Sequence, residues 1–96
     1  MKSYIVVNAK ILDLEALNEY GKAAGPTVGK YGAKVLIASN TAETLEGSPI
    51  GERVVVLEFE SREKAMAWYE SPEYAGPKAQ RLACTEGVLL IAEGLS

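Results

Sequence analysis

Glu58 is the first residue whose placement suggests chemistry, because it follows the apolar run Val54-Val55-Val56-Leu57 inside what reads as a central strand. Strand alternation puts its carboxylate on the same side as Val54 and Val56. If that side is covered, burial would raise the Glu58 pKa towards general-acid or general-base work. Tyr4 opens the first apolar run and Glu93 closes the last. Antiparallel pairing would bring both into the neighbourhood of Glu58. A phenol and two carboxylates could steer protons on a small polar substrate, or hold a hard cation weakly. The plainer alternative is that Glu58 pairs with a lysine or arginine at the strand end and Glu93 is solvated.

A second candidate set, Asn8, Arg53 and Arg81, falls at the opposite end of the sheet, where guanidinium groups could receive a carboxylate ligand. Ordinary ion pairing competes with that reading. Trp68, Tyr69 and Tyr74 could wall an apolar pocket, although such a stripe more commonly forms helix-to-sheet core. The chain has no histidine. A Ser-His-Asp or Cys-His arrangement is therefore excluded, and the commonest haem and transition-metal ligand is missing. No cofactor and no metal site is expected. Cys84 reads as a small apolar residue near a helix end, with no neighbouring pattern to lower its pKa. Gly-rich phosphate loops, Cys-x-x-Cys pairs and EF-hand spacings are all missing from the sequence.

The elements that must position these residues follow from periodicity. Tyr4-Ile5-Val6-Val7 begins a strand running to about Ile11. Asp13 can cap a helix in which Leu14, Leu17, Tyr20, Ala24, Val28 and Tyr31 recur at helical spacing, ending at Gly32. Gly25-Pro26 predicts a kink or a second short helix. Lys34 to Ser39 is a short strand, and Asn40 to Gly51 a polar loop that is an ordinary connection or a lid. Arg53 to Phe59 is the third strand. Ser61 caps a helix from Arg62 to Tyr69, and Ser71-Pro72 starts another, with a break predicted at Gly76-Pro77. Val88 to Ala92 is the last strand. The order βαββαβ is the ferredoxin-like pattern of an α+β fold. Right-handed crossovers then predict a four-stranded antiparallel sheet of order 4-1-3-2 with both helical segments on one face.

That topology leaves a shortage of cover. Ile5, Val7 and Ala9 occupy one face of the first strand, but Tyr4 and Val6 are apolar on the other. The third strand repeats this with Val55, Leu57 and Phe59 against Val54 and Val56, and the fourth with Val88 and Leu90 against Leu89 and Ile91. Helices from one chain shield only one side. About five or six uncovered aliphatic side chains would forfeit on the order of 1.5–3 kcal/mol each, so the sequence predicts a homodimer through the sheet face opposite the helices.

Composition sets the outer limits. At 96 residues, residues 1–96 are expected to form one domain. With 48% hydrophobic and 24% charged residues the chain has the balance of a globular protein. The net charge of −3, with no basic stripe, argues against nucleic acid and against a membrane surface as partners. One cysteine, no apolar run long enough to span a bilayer and no signal-peptide pattern lead to a cytoplasmic expectation.

The run Val55-Val56-Leu57-Glu58-Phe59-Glu60-Ser61-Arg62-Glu63, followed by Ala65, Ala67-Trp68-Tyr69 and Ser71-Pro72-Glu73-Tyr74, resembles the bacterial family known as domain of unknown function 1330. Tyr4, Tyr20, Lys30-Tyr31-Gly32, Glu46-Gly47, Arg81 and Glu93-Gly94 extend the likeness over nearly the whole chain. The resemblance implies the dimeric α+β barrel superfamily and no particular reaction. Wider relatives of that fold include cofactor-independent monooxygenases, muconolactone isomerases and haem-handling enzymes, whose chemistry does not transfer by fold alone. Three readings stand at this point. The first is a homodimer that binds a small organic ligand between sheet and helices. The second is a cofactor-independent isomerase or monooxygenase on a small carbonyl or phenolic substrate, with Glu58 and Tyr4 or Tyr69 moving protons. The third is a structural or regulatory dimer without a ligand. The sequence does not say whether the protein is an enzyme.

Overall fold

The computed structural model of the chain describes residues 1–95. Its elements are β1 (Ser3–Ile11), α1 (Leu14–Lys30), β2 (Lys34–Ser39), β3 (Arg53–Phe59), α2 (Arg62–Tyr69), α3 (Pro72–Cys84) and β4 (Thr85–Glu93). The strands form one antiparallel sheet in the order β2-β3-β1-β4, as the crossover argument requires. Val6 lies opposite Val56 on one side and Leu90 on the other, so these three share a face.

The core forms against the other face. Ile5, Val7, Ala9, Val55, Leu57 and Phe59 are buried beneath Ala24 and Val28 of α1, Ala65 and Trp68 of α2, and Tyr74 of α3. Each helix start is capped by a short polar side chain. Asp13 accepts from the Ala16 amide at 3.0 Å, Ser61 from Lys64 at 3.2 Å, and Ser71 from Tyr74 at 3.1 Å.

Three local expectations are corrected. Neither the second short helix at Gly25-Pro26 nor the break at Gly76-Pro77 is found: α1 runs from Leu14 to Lys30 with Pro26 inside it, and α3 from Pro72 to Cys84 with Pro77 inside it. A proline forfeits one backbone bond, but anchors downstream of Pro26 hold α1 in place. The buried Thr27 hydroxyl donates to the Ala24 carbonyl and accepts from the Trp68 indole at 3.0 Å, and Val28 is buried in the core beside it. In α3, the buried Cys84 Sγ bonds the Arg81 carbonyl one turn back, fixing the helix end beyond Pro77. The last strand begins at Thr85, three residues earlier than predicted, because Thr85 and Glu86 pair with Ile11 and Lys10. Leu12 and Asp13 also donate to the Cys84 carbonyl, tying the α3–β4 junction to the β1–α1 turn. Gly87 makes this pairing possible. A Cβ there would lie 2.3 Å from the Asn8 carbonyl oxygen and 2.6 Å from the Ala9 Cα.

The opposite sheet face is open. Val88 and Leu90 are 42% and 57% exposed, Ile37 46%, and Val6, Val54 and Val56 are half-buried. No helix of the described residues is long and apolar enough to cross a membrane.

Candidate functional site

Each of the two sequence-derived clusters is divided between the faces of the sheet. Tyr4 and Glu58 are directly opposed in the β1–β3 register, and the Tyr4 hydroxyl donates to Glu58 Oε2 at 3.0 Å. Lys2 completes the group, with Nζ 3.3 Å from Glu58 Oε1. Glu93 is not part of it. Glu93 lies opposite Ser3, whose side chain is buried under the helices, whereas the β4 residue opposite Tyr4 is Ala92. Glu93 is therefore exposed on the helix side of the sheet edge.

With that side of the sheet uncovered in the single chain, the Glu58 pKa does not rise. The hydrogen bond from Tyr4 holds the carboxyl below its ordinary value, and the bond and charge of Lys2 add to this, outweighing desolvation. The same bond raises the Tyr4 phenol above its ordinary value. At neutral pH Glu58 is an ionised, paired carboxylate, which is a poor starting point for proton donation.

Asn8 also faces the open side, where its side chain is fully used. Its Nδ2 donates to the Gly51 and Arg53 carbonyls at 3.0 and 3.1 Å, and its Oδ1 accepts from the Ile50 amide at 3.0 Å. Asn8 thus fastens the end of the loop 40–52 to the sheet. Gly51 sits so close to β1 that a Cβ there would be 2.2 Å from the Ala9 carbonyl oxygen. Between this loop and the sheet is an open groove of about 440 Å³ bordered by Asn8, Ala42, Glu46, Pro49 and Val54.

On the helix side the structure brings together Arg53, Arg81, Tyr20 and Tyr74. Arg53 pairs across the sheet with the core residue Ala9, so it starts β3 on the face under the helices. Arg81 follows Tyr74 by seven residues on α3, two helical turns, and its Nε donates to the Tyr74 hydroxyl at 3.2 Å. Tyr20 reaches over from α1, placing its hydroxyl 2.8 Å from that of Tyr74. Arg53 Nη1 donates to Asn40 Oδ1 at 2.6 Å. Among the described residues neither arginine has a carboxylate partner. Burial lowers the Arg53 pKa from its ordinary value, and the nearby Arg81 charge pushes the same way. Burial, reinforced by Tyr74, raises the Tyr20 phenol far above its ordinary value, so that phenol keeps its proton.

The aromatic residues expected to line a pocket are together but close-packed. Trp68 and Tyr74 are buried with ring centroids 4.0 Å apart, and Phe59 lies 5.7 Å from Trp68. Tyr69 is half-buried, with Lys78 Nζ 4.2 Å from its ring centre. Tyr20 is the one member of the helix-side cluster that sequence reasoning placed only in an apolar stripe. Its phenolic hydroxyl, on the α1 face that must cover the Arg53 end of the sheet, was the available signal. Among the described residues, no three His, Cys, Asp or Glu side chains are grouped to hold a metal ion.

A family profile described as Domain of unknown function (DUF1330) matches residues 2–95. The chain belongs to the DUF1330 family. Its fold is similar to that of a Rhodopseudomonas palustris protein of unknown function, RPA0582, with a TM-score of 0.82 and 18% identity over 99% of this chain and 83% of that one. HapK from Hahella chejuensis aligns with a TM-score of 0.68 and 18% identity, covering 99% of this chain and 93% of its own. A protein from Bacteroides fragilis, described as dimeric, of unknown function and ferredoxin-like, aligns with a TM-score of 0.63 and 15% identity, over 97% of this chain and 95% of its own. Among curated proteins the sequence finds no match. At these identities the likenesses establish the α+β ferredoxin-like fold of this DUF1330 chain and leave its chemistry to its own residues.

Proposed function

We propose that the protein is a homodimer that binds a small organic molecule between the sheet and the helices, at the Arg53–Arg81 end. The observation that carries the dimer is the sheet face opposite the helices, where Val6, Val54, Val56, Ile37, Val88 and Leu90 share one side with no helix above them. The molecule measures 30 × 30 × 16 Å. A face of that size is of the order of the ~800 Å² that each partner contributes to a standard interface. A second copy presents the same apolar surface and satisfies both demands at once. The dimeric description of the Bacteroides fragilis relative supports this reading.

Ligand binding rests on the helix-side cluster, where two guanidinium groups lie beside two phenols without an acidic partner among the described residues. Natural proteins rarely place cations under a helical layer unless a partner or ligand answers them. The proton-transfer reading built on Glu58 is the weaker one, since its carboxylate is already held by Tyr4 and Lys2 on the opposite face.

Native mass spectrometry of the protein as purified tests both parts. The expected spectrum shows twice the chain mass, with added mass removed by substitution of Arg53 or Arg81 where a ligand co-purifies. Monomer as the sole species at micromolar concentration would overturn the dimer.

A further inference from the structure

The hydrogen-bond inventory at the Tyr20–Tyr74 pair defines the chemical class of what the cluster receives. Each phenol carries one proton, and the two oxygens share a single contact of 2.8 Å. One of the two protons is used in that contact. The Tyr74 oxygen also accepts from Arg81 Nε. Whichever phenol donates to the other, one phenolic proton has no acceptor among the described residues. Arg81 spends one of its five N–H groups on Tyr74, and Arg53 spends one on Asn40. The cluster is therefore rich in donors, doubly positive and without a carboxylate. Its complement is a group that only accepts hydrogen bonds and carries negative charge.

We propose that Arg53, Arg81 and the Tyr20–Tyr74 pair bind the carboxylate of a small organic acid, an assignment that rests on the reading of this cluster as the ligand site. A carboxylate offers about four acceptor positions in one plane, which suits guanidinium forks and one phenolic proton. Tyr74 is fully buried and stacked on Trp68, so it forms a fixed floor. Tyr20, Arg53 and Arg81 are half-buried and provide the side open to solvent. Arg53 stands at the start of β3, directly after the loop 40–52, and its bond to Asn40 links the other end of that loop to the site. Arg81 and Tyr20 belong to two different helices, α3 and α1. A bound carboxylate would thus bridge sheet and helical layer, at a position where two like charges otherwise meet without an acidic partner among the described residues.

The test is an NMR titration of the intact protein with sodium acetate, with inorganic phosphate and with sodium chloride, at constant ionic strength. Acetate should cause saturable shifts of the Arg53 and Arg81 side-chain NεH signals and of the Tyr20 and Tyr74 rings, with chloride inactive. Tyr20→Phe should weaken binding by about tenfold, and Arg81→Lys, which keeps the charge but not the fork, by about as much. Saturable shifts with phosphate and none with acetate would overturn the carboxylate assignment while sparing the site. Saturable shifts confined to residues outside the cluster, such as those of the groove beside Asn8, would overturn the inference and relocate the ligand. No saturable shift with either anion, in a protein whose spectrum shows it folded, would overturn both the inference and the ligand-binding reading, leaving the dimer standing.

Discussion

Val56→Arg should turn the dimer into monomer or aggregate, with sedimentation velocity showing loss of the double-mass species. Val56 is central in β3, opposite Val6 of β1 on one side and Ile37 of β2 on the other, in the middle of the open face. A guanidinium there costs the monomer little, because the side chain can extend into solvent. In the dimer it would bury a guanidinium from each copy in an apolar contact, at a desolvation cost the interface does not repay. Leu57→Arg, one residue along, makes a useful contrast: that side chain points into the core and is 6% exposed, so its substitution should unfold the chain rather than dissociate it. A stable dimer of folded Val56→Arg would place the interface elsewhere.

Trp68→Ala should remove about 3–5 kcal/mol of stability, the range expected for a large buried aromatic side chain. Trp68 is 1% exposed and touches every helix's role in the core. Its ring lies against Phe59 of β3 and Tyr74 of α3, and its Nε1 bonds the Thr27 hydroxyl of α1. Trp68→Phe should cost distinctly less. It keeps an aromatic ring in the stack, and Thr27 retains its donation to the Ala24 carbonyl, so no buried donor is stranded. Urea denaturation of the three proteins measures the difference. Equal losses for the two variants would mean that the indole bond, not the packing, dominates at this position.

The first effect traces to strand parity, which was readable in the sequence. From Ser3 to Ala9 in β1 and from Val55 to Phe59 in β3 the odd residues are buried and the even ones are not, as the alternation of Ile5, Val7 and Ala9 with Tyr4, Val6 and Asn8 implied. The N-caps at Asp13, Ser61 and Ser71 were equally legible, since each uses a short side-chain oxygen for a free helical amide. The prolines misled for a tertiary reason. Local sequence prices a missing backbone bond at Pro26, but cannot include the Trp68–Thr27 anchor 41 residues away that holds the following turn.

The candidate site was half legible for a related reason. Glu58 and Tyr4 met because they are paired in register, and Glu93 did not because it is one residue out of step and so on the other face. The Asn8, Arg53 and Arg81 set divided along the same line: Arg53 and Arg81 lie on the helix side, while Asn8 faces away and is consumed by the loop. Register between strands depends on contacts distant in sequence, and a shift of one residue exchanges the faces. The i to i+7 relation of Tyr74 and Arg81 was local and could be read directly, whereas the Tyr20–Tyr74 contact depends on how α1 lies against α3.

The most direct test of the central claim is an isotope-filtered NOE experiment on a mixture of labelled and unlabelled protein. The account predicts contacts between copies from the Val6, Val56 and Leu90 methyl groups. Contacts between copies arising only from helix residues such as Leu82, or none from the sheet at all, would contradict it.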